Sequence, residues 1–415
     1  MQQTRPHNQR IWVVSELYYP ELTSTGYFLT GLAEGLAETE TYDVSVFCGQ
    51  PSYWARGERA PARETRNGVD VQRCWATTLD KNNLLFKVVN LVTVSMSIFL
   101  CSLFRVRRGD ILISVTNPPL LPYFEALACQ IRGARFVLLI HDVYPEILAR
   151  LRILQPQSIP MRLLDCASRW LYKKADCVVV VGRDMLSLVA GKLQSTDKRV
   201  IVATNWANSG TISPEARSKN RLLSTLNLKD RFVVQFWGNM GRPHNIEDLV
   251  DAAELLASDS SFHFLVIGWG TKRAWVVDEK ASRRLENLTI LEPLPREESC
   301  DVQNACDISI NILAPGMSGI SVPSRSYNAM AAGKPLLAVC DSESELAAVV
   351  REEDIGWVLP PGRPDLIVAA LREARANPDL LRSMGARARK AAETKYTIGY
   401  VLEVYRDLIE DLRLK

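Results

Sequence analysis

The sequence has few of the residues on which metal and disulfide chemistry depend. Only 4 of its 415 residues are histidines, and no Cys/His cluster has metal-ligand spacing. The 9 cysteines form no C-x-x-C pair, and several lie in apolar segments such as DCVVVV, which indicates reduced, buried thiols. No D-x-D segment that would hold a metal-bound nucleotide is present. We therefore expect a protein with no metal and no cofactor.

The sequence also lacks a large excess of charge of either sign. A net charge of +3 gives no argument for binding to nucleic acid. The N-terminal segment MQQTRPHNQR is polar and no apolar signal segment follows it, which predicts a cytoplasmic location. A chain of 415 residues is too long for one hydrophobic core, so we expect two domains.

Short apolar segments alternate with helical ones in both halves of the chain, which predicts a doubly wound α/β fold. Strands are predicted at 11–15, 44–48, 70–75, 110–115, 134–140, 177–181, 199–204, 232–237, 262–269, 288–291, 307–313 and 336–340. Segment 50–68, by contrast, is polar and is predicted to be a solvated loop, with a substrate contact as the alternative. Segment 365–392 is predicted to be helical, and a final helix is predicted at 397–412.

Segment 314–335, APGMSGISVPSRSYNAMAAGKP, is the strongest candidate for a ligand site. A glycine-bearing loop follows the strand at 307–313, and Ser324 is expected to cap a short helix that ends at Gly333. The N-terminus of a helix suits a phosphate, and Arg325 adds a bidentate donor for the same anion. An ordinary βαβ crossover with a tight turn is the alternative.

Other candidate residues follow predicted strands, where open α/β sheets bind their ligands. His141 and Asp142 follow the strand at 134–140, and a purely structural histidine is the alternative there. Gly26 lies in a polar turn, 23–26, after the first strand. Gly238 and Arg242 follow the strand at 232–237, ahead of a helix expected from 245.

The most apolar stretch, 88–104, carries five polar residues among 17 and is short for a transmembrane helix. Lys87 precedes it, and Arg105, Arg107 and Arg108 follow it. The pattern predicts a helix with cationic flanks that packs into the first domain, docks on a membrane surface, or does both.

Several segments resemble a known family. PSRSYNAMAAGKPLLA at 323–338 resembles the PSK-x-Y-x-x-MAAGKP donor-site motif of a subgroup of family 4 glycosyltransferases with the GT-B fold. Bacterial members of this kind build colanic acid, O-antigen and exopolysaccharide. HDVYPE at 141–146 resembles the family's H/Q-D-x-x-P-E segment, and NWAN at 205–208 resembles its NW-x-D segment. The motifs occur in the family's order and span nearly the whole chain.

The resemblance implies an α/β fold of the GT-B type, with two Rossmann-like doubly wound domains facing a cleft. Residues 1–205 are then the acceptor-binding domain, 206–393 the nucleotide-sugar domain, and 394–415 a helix that packs back on the N-terminal domain. It also implies roles for single residues: catalysis by His141 and Asp142; donor diphosphate binding by Gly26, Gly238, Asn239, Arg242, Ser324 and Arg325; and ribose and base contacts by Asn328 and Leu294.

The sequence departs from the family at four positions. The two glutamates of the E-x7-E motif align with Ile320 and Asn328, and the family's diphosphate-binding arginine and lysine align with Asn239 and His244. The absence of the two glutamates weakens the prediction of donor recognition more than it weakens the prediction of the fold. Arg242 and Arg325 remain as the expected phosphate partners.

The resemblance implies a retaining, metal-independent hexosyl- or N-acetylhexosaminyltransferase that uses a nucleoside-diphosphate sugar, expected to be a UDP-sugar, as a substrate. The acceptor is expected to be linked to a polyprenyl diphosphate or to be an oligosaccharide, and the enzyme to lie on the cytoplasmic face of the inner membrane. Two alternatives stay open. One is a non-catalytic GT-B partner in a polysaccharide assembly complex, and the other is a sugar-nucleotide epimerase of the same fold.

Overall fold

The computed structural model describes residues 8–21, 23–51, 59–80, 83–193 and 199–414. The chain forms two compact units. The first contains Met1–Ala149, Leu154–Thr204 and Ile398–Lys415, and the second contains Arg150–Ile153 and Asn205–Thr397.

The first unit is built on an eight-stranded sheet with the order β3-β4-β2-β1-β5-β6-β7-β8, in which only β3 runs antiparallel to its neighbour. Its strands are β1 Gln9–Val14, β2 Tyr42–Cys48, β3 Arg63–Arg66, β4 Val69–Arg73, β5 Ile111–Val115, β6 Arg135–Ile140, β7 Cys177–Val180 and β8 Arg199–Val202. Its helices are α1 Ser24–Ala37, α2 Leu84–Arg105, α3 Leu121–Arg132, α4 Glu146–Arg150, α5 Ile159–Lys174 and α6 Arg183–Leu193. Residue Arg150, at the end of α4, is grouped with the second unit.

The second unit is built on a six-stranded parallel sheet with the order β11-β10-β9-β12-β13-β14. Its strands are β9 Phe232–Trp237, β10 Phe262–Ile267, β11 Leu288–Leu291, β12 Ile308–Ile312, β13 Leu336–Val339 and β14 Gly356–Leu359. Its helices are α7 Arg221–Thr225, α8 Glu247–Leu255, α9 Arg273–Ser282, α10 Ser299–Asn304, α11 Arg325–Ala331, α12 Glu345–Glu352, α13 Pro364–Ala376 and α14 Pro378–Thr394. Single turns of 3-10 helix lie at Arg217–Lys219 and Arg296–Glu298.

One central strand of each sheet is buried along its whole length, which explains why it is a continuous apolar run. Every residue of β5 and β12 is buried. Helices cover both faces of a parallel sheet, so neither face can carry polar side chains at no cost. The strand order of the second unit is that of a dinucleotide-binding Rossmann fold, and the first unit has the same order at its centre. The prediction of two Rossmann-like domains is confirmed.

The prediction that 50–68 is a loop was wrong for its second half. Residues 63–66 form β3, which pairs with β4 across a two-residue turn. Asn67 and Gly68 form this turn with positive φ angles of 45° and 79°, as type I′ hairpins require. Residues 52–58 of the predicted loop lie outside the described residues.

The helices differ from the predictions in three details. The polar turn at 23–26 is the beginning of α1, because Thr23 caps the helix and residues 24–26 already belong to it. The region 365–392 is helical as predicted and consists of two helices, α13 and α14, which meet at Asn377, where Pro378 begins the second. Ser324 precedes α11 as predicted, but its side chain makes no capping hydrogen bond.

The C-terminal helix α15, Ile398–Arg413, belongs to the first unit and packs on α1. Gly35 of α1 makes the close approach possible, since a Cβ at that position would lie 2.5 Å from Cδ1 of Leu402.

Helix α2 is longer than the predicted 17 residues and spans 22. Its inner side, including Val94 and Ile98, is buried in the first unit, while much of its outer side is exposed. By length and composition it is the one helix among the described residues that is long and apolar enough to cross a bilayer.

Candidate active site

The strand order in the sheet of the second unit reverses between β9 and β12, and the loops after these two strands lie side by side. In an open α/β sheet, ligands bind in the crevice at such a switch point. The backbone N–H of Ala314, after β12, donates to the carbonyl oxygen of Pro243, after β9, at 2.8 Å. The carboxylate of Asp341 accepts the N–H groups of Gly316 and Ser318 at 3.0 and 3.1 Å. The glycine-bearing loop is therefore held in place from both sides.

Arg325 begins α11 and turns its guanidinium toward the loop that follows β9. Its Nη2 donates to Nε2 of His244 at 2.7 Å and to the carbonyl oxygen of Asn239 at 3.4 Å. The guanidinium carbon lies 4.4 Å from the ring centroid of Phe236, a cation–π contact. Gly238 leaves room for this arrangement, because a Cβ there would lie 3.4 Å from the guanidinium.

Arg325 is half-buried, and the inner part of its guanidinium is a positive charge that lacks a matching negative one. Its Nη1 is buried and has no hydrogen-bond partner, and the described residues provide no ion pair for it. Burial lowers the pKa of Arg325 to about 10, so the group stays charged at neutral pH. A buried charge without a partner is costly, and an anion in the crevice would remove that cost.

His244 is the residue that holds this guanidinium. Its Nδ1 lies 3.0 Å from the carbonyl oxygen of Ile312, to which it donates, so Nε2 is left to accept from Arg325. Burial and the neighbouring positive charge of Arg325 hold the pKa of His244 well below its usual range. The ring is therefore neutral and in a single tautomer.

The structure places the other predicted phosphate residues around the same crevice. Asn239 and Arg242 lie in the loop between β9 and α8, and both are exposed. Ser324 is half-buried immediately before Arg325. Their phosphate contacts stay predictions.

The residues predicted to meet the nucleoside lie on neighbouring elements. Oδ1 of Asn328 accepts the backbone N–H of Asn208 at 3.2 Å, so this oxygen joins the NWAN segment to α11. Leu294 is half-buried after β11 and packs with Trp237 on a small apolar cluster. Ile320, which aligns with the missing glutamate, is buried. The ribose and base contacts of Asn328 and Leu294 stay predictions.

His141 and Asp142 lie in the first unit, directly after β6 as predicted. The hydroxyl of Thr116, after β5, accepts both backbone N–H groups, at 3.2 Å from His141 and 3.4 Å from Asp142. His141 is half-buried, and desolvation lowers its pKa to about 4. A neutral imidazole can donate or accept a hydrogen bond but holds no charge at neutral pH.

Lys192 supports the HDVYPE segment from α6, a role that sequence patterns did not show. Its buried Nζ lies 2.5 Å from Oε1 of Glu146 and 3.0 Å from Oδ1 of Asp165. It also donates to Oγ of Ser168 at 3.2 Å. The signal in the sequence is weak, since a single lysine at the end of a helix is usually solvated.

Gly26 lies in the first turn of α1, and its N–H donates to the hydroxyl of Thr23 at 3.2 Å. A Cβ at this position would lie 2.7 Å from the carbonyl oxygen of Glu21. Local packing thus requires a glycine here, whatever the residue does for a ligand. Its contact with a diphosphate stays a prediction.

Solved structures show the same architecture. HepE from Anabaena, in complex with UDP and glucose, matches with a TM-score of 0.73 at 13% identity, over 97% of this chain and 100% of that one. Two Rossmann-like domains in one chain, at this similarity, define a protein of the GT-B fold.

Family models match both halves of the chain: a glycosyl transferase 4-like domain over residues 25–206 and glycosyl transferases group 1 over residues 219–391. A probable glycosyltransferase, WbjE of Pseudomonas aeruginosa, is 32% identical over 97% of this chain and 98% of its own length. A putative colanic acid biosynthesis glycosyl transferase, WcaI of Escherichia coli (strain K12), is 23% identical over 97% of this chain and 100% of its own. The chain belongs to the family 4 glycosyltransferases of the GT-B fold, which confirms the resemblance to the family, and its subgroup stays a prediction.

Proposed function

We propose that the protein is a retaining transferase that moves a hexosyl or N-acetylhexosaminyl group from a UDP-sugar to an acceptor. The observation that carries the proposal is the buried Nη1 of Arg325, which has no hydrogen-bond partner at the switch point of the second sheet. A diphosphate is the anion that best fits a planar donor beside a glycine-bearing loop. The structural relative HepE, which binds UDP and glucose, supports a uridine nucleotide.

The proposed reaction requires stabilisation of the leaving diphosphate. When the bond from the anomeric carbon to the phosphate oxygen breaks, negative charge grows on the β-phosphate, and Arg325 and Arg242 lie where they could stabilise it. The acceptor hydroxyl attacks from the same face and gives its proton to the leaving diphosphate oxygen, so that configuration is retained. His141 donates a hydrogen bond to the donor sugar, and Asp142 belongs to the same catalytic loop.

The acceptor that we propose is a polyprenyl-diphosphate-linked or free oligosaccharide in the synthesis of a bacterial surface polysaccharide. The name of WcaI, which refers to colanic acid, supports this class of product. We place the reaction on the cytoplasmic face of the inner membrane, and we propose that it needs no metal and no cofactor.

Product analysis tests the proposal. The protein is incubated with UDP-glucose, UDP-galactose, UDP-N-acetylglucosamine or UDP-N-acetylgalactosamine and with lipid-linked acceptors. Products are detected by mass spectrometry, and the anomeric configuration of the new linkage is determined by NMR. Arg372→Gln, an exposed change on α13, is the matched control for Arg325→Gln. We expect one donor to give an acceptor larger by one hexose or N-acetylhexosamine, with loss of product only in Arg325→Gln. Hydrolysis to free sugar, or a product with the inverted linkage, would contradict retention and transfer.

A non-catalytic role has one observation in its favour. At the two positions of the family's glutamates, Ile320 is a buried aliphatic residue and Asn328 already binds the backbone of Asn208. A partner protein of this kind would bind UDP but would give no product with any donor. The same product analysis, combined with nucleotide titration, separates the two functions.

A further inference from the structure

An exposed apolar stripe runs along the outer side of α2. It consists of the exposed residues Val88, Val92, Met96, Leu100 and Phe104, spaced every four positions. Side chains four residues apart are neighbours on a helix surface, so these five make one continuous ridge that winds slowly round the helix. Phe104 is 83% exposed, and contact of a phenyl ring with water is unfavourable.

Two neighbouring helices widen this stripe into a surface. Helix α3 packs against α2, and α5 packs against α3. Rings join them: Phe99 meets Phe124 at 5.4 Å, and Tyr123 stacks on Trp170 at 6.4 Å between ring centroids. The exposed apolar residues that these helices add are Leu127 and Ile131 on α3, and Ile159, Leu163, Leu164 and Trp170 on α5.

The charges on these helices are of one sign. Exposed cations lie on all three helices: Lys87, Arg105, Arg132, Arg162, Lys173 and Lys174. The sequence of α2 contains no acid, and the single acid of α3, Glu125, is buried. On α5 the one acid, Asp165, pairs with Arg169 and Lys192.

We propose that α2, α3 and α5 form a docking face for a bilayer that contains anionic lipid. The apolar stripe enters the acyl boundary while the cations meet lipid headgroups, the usual division of an interfacial helix. The buried inner side of α2 keeps the helix in the first unit, which distinguishes docking from crossing. The face does not depend on the proposed transfer reaction, and nucleotide binding should be unchanged by its loss.

Vesicle flotation tests the face. The full chain is mixed with vesicles of phosphatidylcholine alone or with one third phosphatidylglycerol. We expect flotation with the anionic vesicles only and release in about 1 M salt, where charges are screened beyond roughly 3 Å. Leu100→Gln with Phe104→Gln, and separately Arg105→Gln with Lys173→Gln and Lys174→Gln, should lower the floated fraction at least fivefold at an unchanged melting temperature.

Arg372→Gln with Lys390→Gln, exposed cations of the second unit, are the matched control and should float like the wild type. Three outcomes would overturn the proposal: no flotation, flotation that the variants do not change, or protein that stays bound in alkaline carbonate, which would show that α2 crosses the bilayer. Self-association that only the apolar pair abolishes, without flotation, would assign the face to a second copy.

A second inference rests on the contact between His244 and Arg325. The resemblance puts the family's two phosphate-binding cations at Asn239 and His244, and Arg325 contacts both of these residues from another element. We infer that His244 is a positioning residue, which orients the guanidinium that replaces those two cations. The inference rests on the proposed function of the site.

Two substitutions of His244 test the roles of its two ring nitrogens separately. Gln at position 244 keeps an acceptor near Nε2 for Arg325, and Asn keeps a donor near Nδ1 for the carbonyl of Ile312. We expect His244→Asn to weaken UDP binding about tenfold and His244→Gln to restore most of it, with both melting as the wild type. In an Arg325→Gln background, His244→Asn should add no further loss, because the group that it orients is gone.

The outcomes separate the inference from the proposed site. If Arg325→Gln leaves UDP affinity unchanged, the phosphate site itself is wrong. If Arg325→Gln weakens binding but His244→Asn does not, or if the two losses add, only the positioning role is overturned.

Discussion

Nζ of Lys192 lies 2.5 Å from Oε1 of Glu146 and thereby ties α6 to the last residue of the HDVYPE segment. The lysine side chain is only 7% exposed, and it holds Asp165 as well. Removing it leaves Glu146, one oxygen of which is already buried and unpartnered, without its cation, while Asp165 keeps its pair with Arg169.

Lys192→Met should therefore lower the free energy of unfolding by roughly 1–3 kcal/mol, less than a fully buried pair because both carboxylates keep some contact with water. Chemical denaturation measures this change, with the exposed Lys390→Met as the control. A loss of stability no larger than that of the control would mean that the ion pairs of Lys192 do not stabilise the fold.

His141 provides the prediction that separates an enzyme from a non-catalytic relative. His141→Ala should lower turnover by roughly 10²–10³, the effect of removing one preorganised hydrogen-bond donor, with UDP affinity and melting temperature nearly unchanged. Steady-state kinetics, titration and a thermal melt on one variant supply all three readings. A collapsed melt would make His141 structural, and full activity would remove it from the site.

The lowered pKa of His141 predicts a pH effect as well. Its folded pKa of about 4 lies below the value of about 6.5 for an unfolded histidine, so the unfolded chain binds more protons between these values. The contribution to stability is complete above about pH 6.5 and is lost as the pH falls toward 4. A flatter acid limb of the stability curve in His141→Ala would show this, and an identical limb would contradict it.

Much of the fold could be predicted from sequence because its strands are buried on both faces and read as apolar runs. The exceptions have local causes. Strand β3 is a polar edge strand, and only the Asn67-Gly68 turn marks it. The two helices at 364–394 share helical periodicity, and only Pro378 shows where the first ends.

The candidate site could be predicted only in part. Arg325 is identified by its place in a motif, but its contacts with Phe236 and His244 bring together residues more than 80 positions apart. Lys192 likewise meets Glu146 through the packing of helices, and no periodicity in the sequence carries that pairing.

Glu125 predicts a second pH effect, of opposite sign. Burial raises the pKa of this α3 carboxyl to about 8, since both of its oxygens are shielded from water. An unfolded glutamate titrates near 4.3, so the folded state keeps a proton that the unfolded state loses between about pH 4.3 and 8. Stability should fall as the pH rises through that window.

Glu125→Gln should remove this slope and raise the melting temperature at pH 7.5, because a neutral amide replaces a carboxyl that must stay protonated. Thermal melts from pH 5 to 8.5 test it, with the exposed Glu38→Gln as the control. Equal slopes in wild type and Glu125→Gln would show that the carboxyl does not hold its proton.

Chelation tests the proposal that no metal takes part. Transfer in excess EDTA should equal transfer in magnesium, because in the proposed reaction guanidinium groups and backbone N–H donors stabilise the leaving diphosphate. Rates are compared at equal ionic strength after dialysis against chelator. A loss that magnesium restores would reveal a metal requirement.

The most direct test of the account is a calorimetric titration of UDP into wild type, Arg325→Ala, Arg242→Ala and the control Arg372→Ala. If the guanidinium of Arg325 holds the diphosphate through its unpartnered Nη1, Arg325→Ala should weaken binding by about 1.5–3 kcal/mol, the range for hydrogen bonds to charged groups. Arg242→Ala should weaken binding less, because its side chain is exposed, and Arg372→Ala should not change it. Unchanged affinity in both Arg325→Ala and Arg242→Ala would contradict the donor site.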